Sequence, residues 1–547
     1  MWSKAVNYVP EWKTWVEAGL TLLAPLVMRR LSTTLRTWVG KRSPQEPQAS
    51  TAPPSDPLTG DFQAEKARLK QQLGRNSDVH FREFELAGSQ TPAMLVFVEG
   101  MQNEDLICNQ VLKMLMQEPL CTEGELDQLS GQHLGSYLQD RLLPLPGIPE
   151  VTELLELKRS ILSGYTALLI EGLPRAFLVG TPSPRTRAIT EPTSEALLRG
   201  SRVGFTEMIS ENTAMLRQQG RTDDMVIESF EVGSRIQRTL AIAYMSEIVN
   251  PDLLKEVKDR IAAINMDFLA ESGYIEQLIE DNPLSPFQQV QNTERPDRTI
   301  SALLEGRVAI LLEGSPFALL VPVTFTMLIQ SPEDYFERWL PGSLLRMLRF
   351  LAAFLSLMTP SLYISFISFH PGLLPTELAI TIAETRQGVP FPSLIEILIL
   401  EISIEILREA GIRLPKPIGP AMGIVGGLII GEAAVQAGIV SPMLVIIVAV
   451  TAISSFAIPM YSAGITLRML RFIAMLFASV LGMLGTILFF LLLCSHMTKL
   501  KSFGVPYVTP VSPFRFNDWK DLFIRAPLPL MRHRPNMMKT EDKKRRS

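Results

Sequence analysis

The stretch from Gly419 to Cys494 constrains the fold of this chain more than any other. It contains three apolar runs with almost no charge, at residues 419–438, 442–459 and 467–494. A helix needs about 20 mostly apolar residues to cross the hydrocarbon core of a bilayer. In lipid, backbone polar groups find partners only within the helix itself. The three runs therefore predict membrane-spanning helices, and the rest of the chain has to fold around them.

The first run has a glycine at every fourth position. The four glycines that share one helix face are Gly419, Gly423, Gly427 and Gly431. A face without side chains lets another helix backbone approach closely, which is how helices associate in lipid. We therefore predict a helix-packing ridge along this face.

The opposite face of the same helix carries Val425, Ile429, Glu432 and Gln436. A carboxylate and an amide at membrane depth are costly and usually face protein or a water-filled path. One interpretation is a pore-lining helix, in which Val425 and Ile429 form an apolar constriction and Glu432 attracts cations. The other is a tightly packed bundle helix with Glu432 near the lipid headgroups. The sequence alone favours neither of the two.

A second helical pattern, at residues 394–410, places acids on one face. These acids are Glu401, Glu405 and Glu409, each four residues from the next. Like charges at this spacing repel each other, and they repel more strongly in a low dielectric, so this face is not expected to meet lipid. The functional interpretation is an acidic vestibule that collects cations. The simpler alternative, which the sequence favours, is the solvated face of a helix at the membrane surface.

The pattern of flanking charges predicts how the chain crosses the bilayer. We predict about four spans, at residues 350–369, 419–438, 442–459 and 467–494, with a re-entrant or interfacial piece near residues 370–388. Arginine and lysine residues flank these spans on the side predicted to be cytoplasmic. The predicted membrane domain is residues 331–498, followed by a basic cytoplasmic tail at residues 499–547. Both termini are therefore expected inside the cell, on a multi-pass protein of the cell membrane.

Composition excludes several classes of protein. The mean hydropathy of +0.18 over 547 residues fits a polar half joined to an apolar half. The formal net charge of -4 gives no general affinity for nucleic acid. The three cysteines, Cys108, Cys121 and Cys494, form no disulfide framework or ligand cluster. No nucleophile–base motif or metal-ligand spacing is present, so we expect neither an enzyme nor a cofactor.

The soluble half contains an internal repeat. Residues 164–179 align without gaps on residues 306–321, and each copy joins two apolar runs by Glu-Gly-x-Pro, a hairpin signal. The upstream segments Ala93–Glu99 and Ala241–Glu247 match less closely at a similar offset. The pattern predicts two tandem copies of one α/β domain, at residues 77–190 and 200–330, followed by an all-α polytopic membrane domain.

Two polar segments lie outside this pattern. Residues 1–61 are predicted to be an extension, with a basic amphipathic helix for an anionic membrane surface and a linker rich in proline. The loop at residues 283–298 is rich in hydrogen-bonding side chains. A ligand or subunit contact is one interpretation of this loop. An ordered loop that caps its own domain is the other, and it is favoured.

Several segments together resemble the A-subunit family of bacterial spore germination receptors. The matching segments are Asp281–Phe287, Gln291–Arg298, Glu305–Ile310, Ser331–Tyr335, Ser368–Pro371, Gly388–Pro392, Glu405–Gly419, Ala437–Pro442 and Ser502–Tyr507. The resemblance extends from about Ser77 to Phe514 and is specific when the motifs are taken together.

The resemblance implies a subunit of a nutrient receptor in the inner membrane of the dormant spore. It implies two partners, a transporter-like B subunit that holds the germinant and a C-subunit lipoprotein. It also implies that A subunits form a homo-oligomer in membrane lipid that acts as a nutrient-gated cation channel. A stage V sporulation membrane protein of the same fold is an alternative, as is a non-conducting scaffold or transporter component. The family brings no catalytic residues or cofactors.

Overall fold

The computed structural model describes residues 56–87, 91–117, 148–180, 191–192, 194–195, 197–414, 427 and 430–545. Residues from Leu58 onwards form one compact unit. Within this unit, an α/β amino-terminal part is followed by a helical carboxyl-terminal part. The amphipathic helix and linker predicted before residue 56 lie outside the described residues.

The first α/β domain is built on a five-stranded antiparallel sheet with the spatial order β1-β2-β4-β5-β3. Its strands are β1 (Val79–Glu85), β2 (Pro92–Val98), β3 (Glu150–Val151), β4 (Thr166–Ile170) and β5 (Ala176–Val179). The hairpin predicted from the first repeat is confirmed, since Thr166 pairs with Val179. Its turn contains Gly172 at a φ of 83°, a conformation that favours glycine.

Helices cover both faces of the first sheet. They are α1 (Phe62–Leu73), α2 (Glu104–Leu106), α3 (Lys113–Gln117), which a π-helical stretch at Ile107–Leu112 joins to α2, and α4 (Leu154–Leu162). Alternate side chains of a strand point to opposite faces, so Ala167 and Leu169 of β4 pack in the cluster with α1 and α4. Leu168 packs in the cluster on the other face. Because helices cover both faces of the sheet, every residue of β4 is buried, and all of them except Thr166 are apolar.

The first domain begins earlier than predicted. Phe62, Leu69 and Leu73 of α1 are buried in its core. The predicted boundary at residue 77 is therefore wrong, because the whole of α1 belongs to this domain. The sequence signal for α1 was weak, since the helix carries lysine and glutamine on its exposed face.

The second α/β domain repeats the strand order of the first, as β6-β7-β9-β10-β8. Its strands are β6 (Met225–Val232), β7 (Arg238–Met245), β8 (Gln291–Thr293), β9 (Val308–Leu312) and β10 (Ala318–Val321). Its helices are α5 (Ile209–Gln219), α6 (Pro251–Ala262), α7 (Ser272–Ile279) and α8 (Pro296–Leu304). The predicted hairpin at residues 306–321 is also confirmed, since Val308 pairs with Val321.

A buried ion pair joins the two domains. Arg217 of α5 donates from Nε and from one terminal nitrogen to the two carboxylate oxygens of Asp78, at 2.9 Å each. The same guanidinium reaches Asn76 at 2.8 Å, and the backbone N–H of Ser77 donates to the carbonyl of Ile227 at 2.9 Å. The segment that precedes β1 therefore lies along β6 of the second sheet.

The helical part follows the second domain. Its helices are α9 (Phe325–Ile329), α10 (Glu333–Phe336), α11 (Trp339–Ile364), α12 (Thr376–Arg386), α13 (Ser393–Arg413), α14 (Pro442–Phe456) and α15 (Tyr461–Lys499). A π-helical stretch at Ser365–Phe369 extends α11, and residues 430–436 are also helical. By length and composition, two helices can cross a membrane, Trp339–Phe369 and Tyr461–Lys499. Helix α14 is apolar but shorter.

Helix α15 folds back on itself at Gly482, which has a φ of 58° and a ψ of -135°. The rings of Phe477 and Phe489 lie 5.8 Å apart between centroids, whereas twelve residues of straight helix would separate them by about 18 Å. Residues 461–481 and 483–499 thus form the two arms of a helical hairpin, which we call the α15 hairpin. The long span predicted over residues 467–494 is therefore not one continuous helix.

The carboxyl-terminal segment after α15 packs on the second domain. It forms a short ribbon, β11 (Lys501–Ser502) with β12 (Val505–Pro506), and 3-10 turns at Phe516–Asp521, Leu528–Leu530 and Asn536–Met538. Phe503 and Met538 are buried in the core of the second domain. Arg534 donates from Nε to the carbonyl of Leu304 at 2.8 Å. We call residues 500–545 the carboxyl-terminal strap, because they lie against folded structure along their length.

Candidate functional site

The second α/β domain meets the helical part through the loop at residues 282–291, which contacts both arms of the α15 hairpin. Thr466, in the first arm, donates to the carbonyl of Pro286 at 2.7 Å. Ser462, at the start of the same arm, donates to the side chain of Gln288. In the second arm, Nε2 of His496 lies 2.9 Å from Oγ of Ser285. One loop therefore holds both ends of the hairpin.

Aromatic rings fill the space beneath this loop. Phe287 is 3% exposed, and its ring stacks on His496 with centroids 6.1 Å apart. Phe325 meets Phe287 edge to face at 6.1 Å, an arrangement that aromatic pairs prefer. Tyr507 of the strap donates its hydroxyl to the carbonyl of Gln288 at 2.8 Å. Domain, hairpin and strap share one apolar cluster here.

The second half of the polar loop is organised by Arg298. Its guanidinium lies 2.8 Å from a carboxylate oxygen of Glu195, in the segment between the two domains. It also donates to the carbonyls of Met327 at 3.2 Å and Gln330 at 3.4 Å. The sulfur of Met460, just before the hairpin, lies 3.4 Å away. The loop predicted at residues 283–298 is thus ordered, and its contacts run to the helical part.

A buried ion cluster fixes the start of the first candidate span. Asp334 and Arg346 are both 0% exposed, and Nε of Arg346 lies 3.0 Å from Asp334. Arg349 reaches the other carboxylate oxygen of Asp334 at 2.5 Å. Asp521 of the strap pairs with Arg346 at 2.7 Å and accepts the hydroxyl of Tyr335 at 2.5 Å. Burial, together with the negative charge of Asp521, raises the pKa of Tyr335 well above its usual value.

An acidic group also lies beside the loop, on α7. Burial, together with the negative charges of Glu280 and Glu271, raises the pKa of Glu276 to about 8, although a hydrogen bond from Gln288 acts in the opposite direction. Glu280 accepts the backbone N–H of Gln289 at 2.6 Å. Protonation of Glu276 is therefore linked to the geometry of the loop that holds the hairpin.

The acids predicted to line a vestibule each have an arginine partner. Glu401 is 3% exposed and pairs with Arg471 of the α15 hairpin at 2.8 Å. Glu405 pairs with Arg408 at 2.9 Å and with Arg468 at 3.3 Å. Glu409 is exposed and pairs with Arg413 at 2.6 Å. The face of α13 is thus a ladder of ion pairs that sets its register against the hairpin, and not a set of free carboxylates.

Part of the predicted pore helix can be located. Glu432 and Gln436 are exposed, and Nε2 of Gln436 donates to Oε1 of Glu432 at 3.1 Å. Val425 and Ile429 lie outside the described residues, so the constriction stays a prediction.

The structure describes two of the four glycines of the predicted helix-packing ridge, Gly427 and Gly431. A Cβ atom at Gly431 would meet Val445 of α14 at an ordinary 3.7 Å, and one at Gly427 would meet nothing within 4 Å. Gly419 and Gly423 lie outside the described residues. The two glycines that can be seen therefore make no close backbone approach within this chain, and the ridge stays a prediction.

Within the described ranges, no three His, Cys, Asp or Glu side chains are grouped closely enough to hold a metal ion. The charged groups of this region are arranged as ion pairs and hydrogen bonds between elements. These ion pairs and hydrogen bonds attach the α/β domains to the apolar helices.

With this geometry in place, the comparisons with known proteins identify the family. Residues 67–537 match the model of the Bacillus/Clostridium GerA spore germination protein family, and the chain belongs to that family.

The chain is also similar to individual members. It is 41% identical over 485 residues to spore germination protein GerLA of Bacillus cereus, covering 89% of this chain and 97% of that protein. It is 47% identical over 385 residues to spore germination protein A1 of Bacillus subtilis, covering 70% and 80%. A crystal structure of the N-terminal domain of the A subunit of the Bacillus megaterium spore germinant receptor GerK3 matches at 28% identity and a TM-score of 0.39, covering 50% of this chain and 98% of that one. The family and its members support a role in spore germination.

Proposed function

We propose that this chain is the A subunit of a spore nutrient receptor. Several copies form a cation channel in the spore inner membrane, and nutrient opens it. A transporter-like B subunit holds the nutrient, and a lipoprotein C subunit completes the receptor. The similarity to germination proteins supports the receptor part of this proposal, and the arrangement of charges in the helical part supports the channel.

The observation that carries the channel proposal is the difference between Glu432 and the buried acids of α13. Glu396 and Glu401 are buried and pair with arginines of neighbouring helices at 2.6 and 2.8 Å. In contrast, Glu432 is exposed and has only Gln436 as a partner among the residues that the structure describes. A carboxylate without a counter-charge is too costly to place against lipid. It therefore faces water or another copy, as a pore-lining residue does.

The gate is formed by the adjacent turns of the same helix. Val425 and Ile429 would close the pore with an apolar constriction, because such rings exclude water and ions. Nutrient opens it only by binding one arrangement of the receptor more tightly than the other. The loop at residues 282–291 carries the change, since it holds both arms of the hairpin.

The membrane arrangement in this proposal is multi-pass with both termini on the cytoplasmic side. The strap supports this, because Arg545 lies 3.1 Å from Glu305 of the second domain. Two segments in contact lie on the same side of the bilayer, so the number of crossings between them is even. We also propose that the two α/β domains are tandem copies of one unit, and their shared strand order supports this.

Reconstituted ion flux tests the channel. The full receptor in liposomes is expected to pass cations when nutrient is added. Glu432→Lys should reduce cation selectivity at least tenfold, while Glu409→Lys, at an exposed acid that pairs with Arg413, should leave it unchanged. Val425→Ala should leak ions without nutrient. Unchanged selectivity in Glu432→Lys would refute the pore assignment.

The same experiments separate the alternatives. A non-conducting scaffold or transporter component predicts no flux from any oligomer, with or without nutrient. A stage V sporulation protein of the same fold predicts that deletion blocks spore formation. The nutrient-receptor proposal predicts normal spores that fail to respond to one nutrient.

A further inference from the structure

Within the described residues of the carboxyl-terminal strap, large apolar side chains are exposed over one short segment, residues 511–528. Five of them have exposed fractions from 39% to 65%, and they are Val511, Phe514, Phe523, Ile524 and Leu528. Among the described residues before 331, which include both α/β domains, there are only nine such side chains. Exposed apolar side chains concentrated in this way mark a contact with another molecule or with lipid.

Two charged side chains of the same segment point inward. Arg525 is 3% exposed and donates to the carbonyl of Asp334 at 2.7 Å. Asp521 pairs with Arg346 of α11 at 2.7 Å. Between these two charged residues, Ile524 is 55% exposed. A segment that faces water usually has the reverse arrangement, with its charges exposed and its apolar side chains buried.

A row of aromatic rings connects the segment to the first candidate span. Phe350, the first residue of the span predicted from the sequence, meets Phe523 edge to face with ring centroids 4.8 Å apart. Phe523 lies 6.3 Å from Trp519, and Trp519 lies 5.1 Å from Phe514. Tryptophan and tyrosine are enriched at the level of the lipid headgroups, where amphipathic rings form a belt. A row of rings that includes Trp519 and begins at the edge of a span therefore indicates the membrane interface.

The length of α11 with its extension places this contact at the membrane surface. The 31 residues of Trp339–Phe369 form a helix of about 46 Å, about 16 Å longer than the hydrocarbon core. With the predicted span at residues 350–369, residues 339–349 pass through the headgroup layer. The strap meets α11 at this level, since the backbone N–H of Arg525 donates to Oγ of Ser343 at 3.0 Å.

The exposed apolar surface of the strap continues onto α11. Eight large apolar side chains of α11 between residues 339 and 354 are more than 40% exposed, and they include Leu344, Leu348 and Leu351. Strap and helix are in direct contact here, so the lipid that covers the outer face of a spanning helix also reaches the strap.

We propose that residues 511–528 of the strap lie in the headgroup layer of the leaflet that α11 enters, with Ile524 and Leu528 against the acyl chains. Segments at such interfaces bind by burying apolar area in the bilayer. Because Arg534 ties the other end of the strap to the carbonyl of Leu304 at 2.8 Å, the bilayer surface also fixes the height of the second α/β domain above the span. The proposal rests on the membrane position of α11 in the proposed receptor and does not depend on ion conduction.

Photo-crosslinking of the full-length chain in nanodiscs of phosphatidylethanolamine and phosphatidylglycerol tests the partner. The photoreactive residue p-benzoylphenylalanine replaces Ile524, Leu351 or Ile236 in turn, and the adducts are identified by mass spectrometry. Ile236, in the turn between β6 and β7, is the matched control, because it is 56% exposed and Ile524 is 55% exposed. The probe at Ile524 should give about fivefold more lipid adduct than the probe at Ile236, in an amount similar to that at Leu351.

The three positions separate failure of this proposal from failure of the membrane arrangement. Lipid adducts at Leu351 without an excess at Ile524 would overturn the position of the strap and leave α11 in the membrane. Adducts of Ile524 with a second copy of the chain would also overturn it, since the apolar surface would then be a contact between subunits. Absence of lipid adducts at both Leu351 and Ile524 would refute the membrane arrangement itself.

A second pair of variants tests the apolar contact without a photoreactive group. Ile524→Asp would place a carboxylate against acyl chains, so hydrogen exchange of the amides at residues 521–526 should rise about fivefold in the same nanodiscs. Ile236→Asp should leave exchange in the strap unchanged. No rise with Ile524→Asp would overturn the proposal, because water accepts a carboxylate at an exposed position and lipid does not.

Discussion

The two α/β domains have one strand order and different attachments. The first domain is tied to the second through Arg217 and the short segment before β1. The second domain is tied to the helical part through the loop at residues 282–291, through Arg298 and through the strap. The contacts described for the first domain run to the second domain. The sheet topology is therefore common to both domains, and the position along the chain decides which of them can act on the helices.

The attachment of the second domain to the helical part is expected to depend most on Asp334, which lies in α10, just before α11. Asp334→Asn should lower the free energy of unfolding by about 4 kcal/mol, because Arg346 and Arg349 both lose their shared buried counter-charge and Arg346 keeps only Asp521. The measurement is denaturant unfolding of the full-length chain in detergent. Asp267→Asn is the control, since its pair with Arg235 is exposed, and it should change stability by less than about 0.5 kcal/mol. Equal effects of the two variants would contradict the importance of this attachment.

The attachment of the first domain should be the next most sensitive. Arg217→Ala should cost about 3 kcal/mol, because Asp78 is left buried and unpaired. Hydrogen exchange should increase in β1 and β6 while the α15 hairpin keeps its protection. Arg202→Ala, which removes an exposed pair with Glu191, is the control. Loss of protection in the hairpin would show that the first domain also supports the helices.

A smaller effect is expected from the loop between the second domain and the hairpin. Gln288→Ala removes the acceptor for Ser462 in a site that is 8% exposed, and it should cost about 1–2 kcal/mol. Hydrogen exchange should rise at residues 461–466. The exposed Gln237→Ala should have no measurable effect. If residues 461–466 kept their protection in Gln288→Ala, the loop would not be what holds the first arm.

The smallest effect concerns pH. The folded chain keeps a proton on Glu276 up to about pH 8, whereas the unfolded chain releases it near the ordinary value of 4.5. Stability should therefore fall as the pH rises through this window. Glu276→Gln should reduce the fall by up to about 1 kcal/mol, a value discounted for partial exposure to water. Thermal unfolding at pH 6 and pH 9 measures it, with the exposed Glu231→Gln as control. A fall of the same size in Glu276→Gln would assign the pH dependence to other groups.

The hairpins of both sheets could be predicted because their signals are local. Each joins two apolar runs by Glu-Gly-x-Pro, and the turn glycines, Gly172 and Gly314, adopt φ values of 83° and 82°. Neighbouring residues determine such turns. The prediction from the repeat was therefore correct at the level of single strands.

The reversal at Gly482 could not be predicted in this way. Gly464 and Gly485 lie in the same apolar segment and stay helical, so the residue type does not mark the turn. What fixes it is packing, since a Cβ atom at Gly482 would lie 2.7 Å from the ring of Phe369. Phe369 belongs to the extension of α11, more than a hundred residues earlier in the chain.

The ion pairs made by the acids of α13 could not be predicted from local sequence either. Their spacing is visible in the sequence, but Glu401 finds its partner Arg471 at a separation of 70 residues. Repulsion on one face was a sound expectation for an isolated helix. In the folded chain, ion pairs with arginines neutralise this repulsion, and no local pattern indicates which arginines form them. Glu401 and Glu405 therefore hold α13 in register with the α15 hairpin.

The loop that holds the α15 hairpin has a mechanical consequence. Because both arms end on the same few residues, a displacement of the loop moves the two arms in one direction and by one amount. The two arms of the hairpin are therefore expected to move together as one rigid body, and not to open and close against each other. Its tip, at Gly482, lies against Phe369, so a push at the head reaches the far end of the first candidate span.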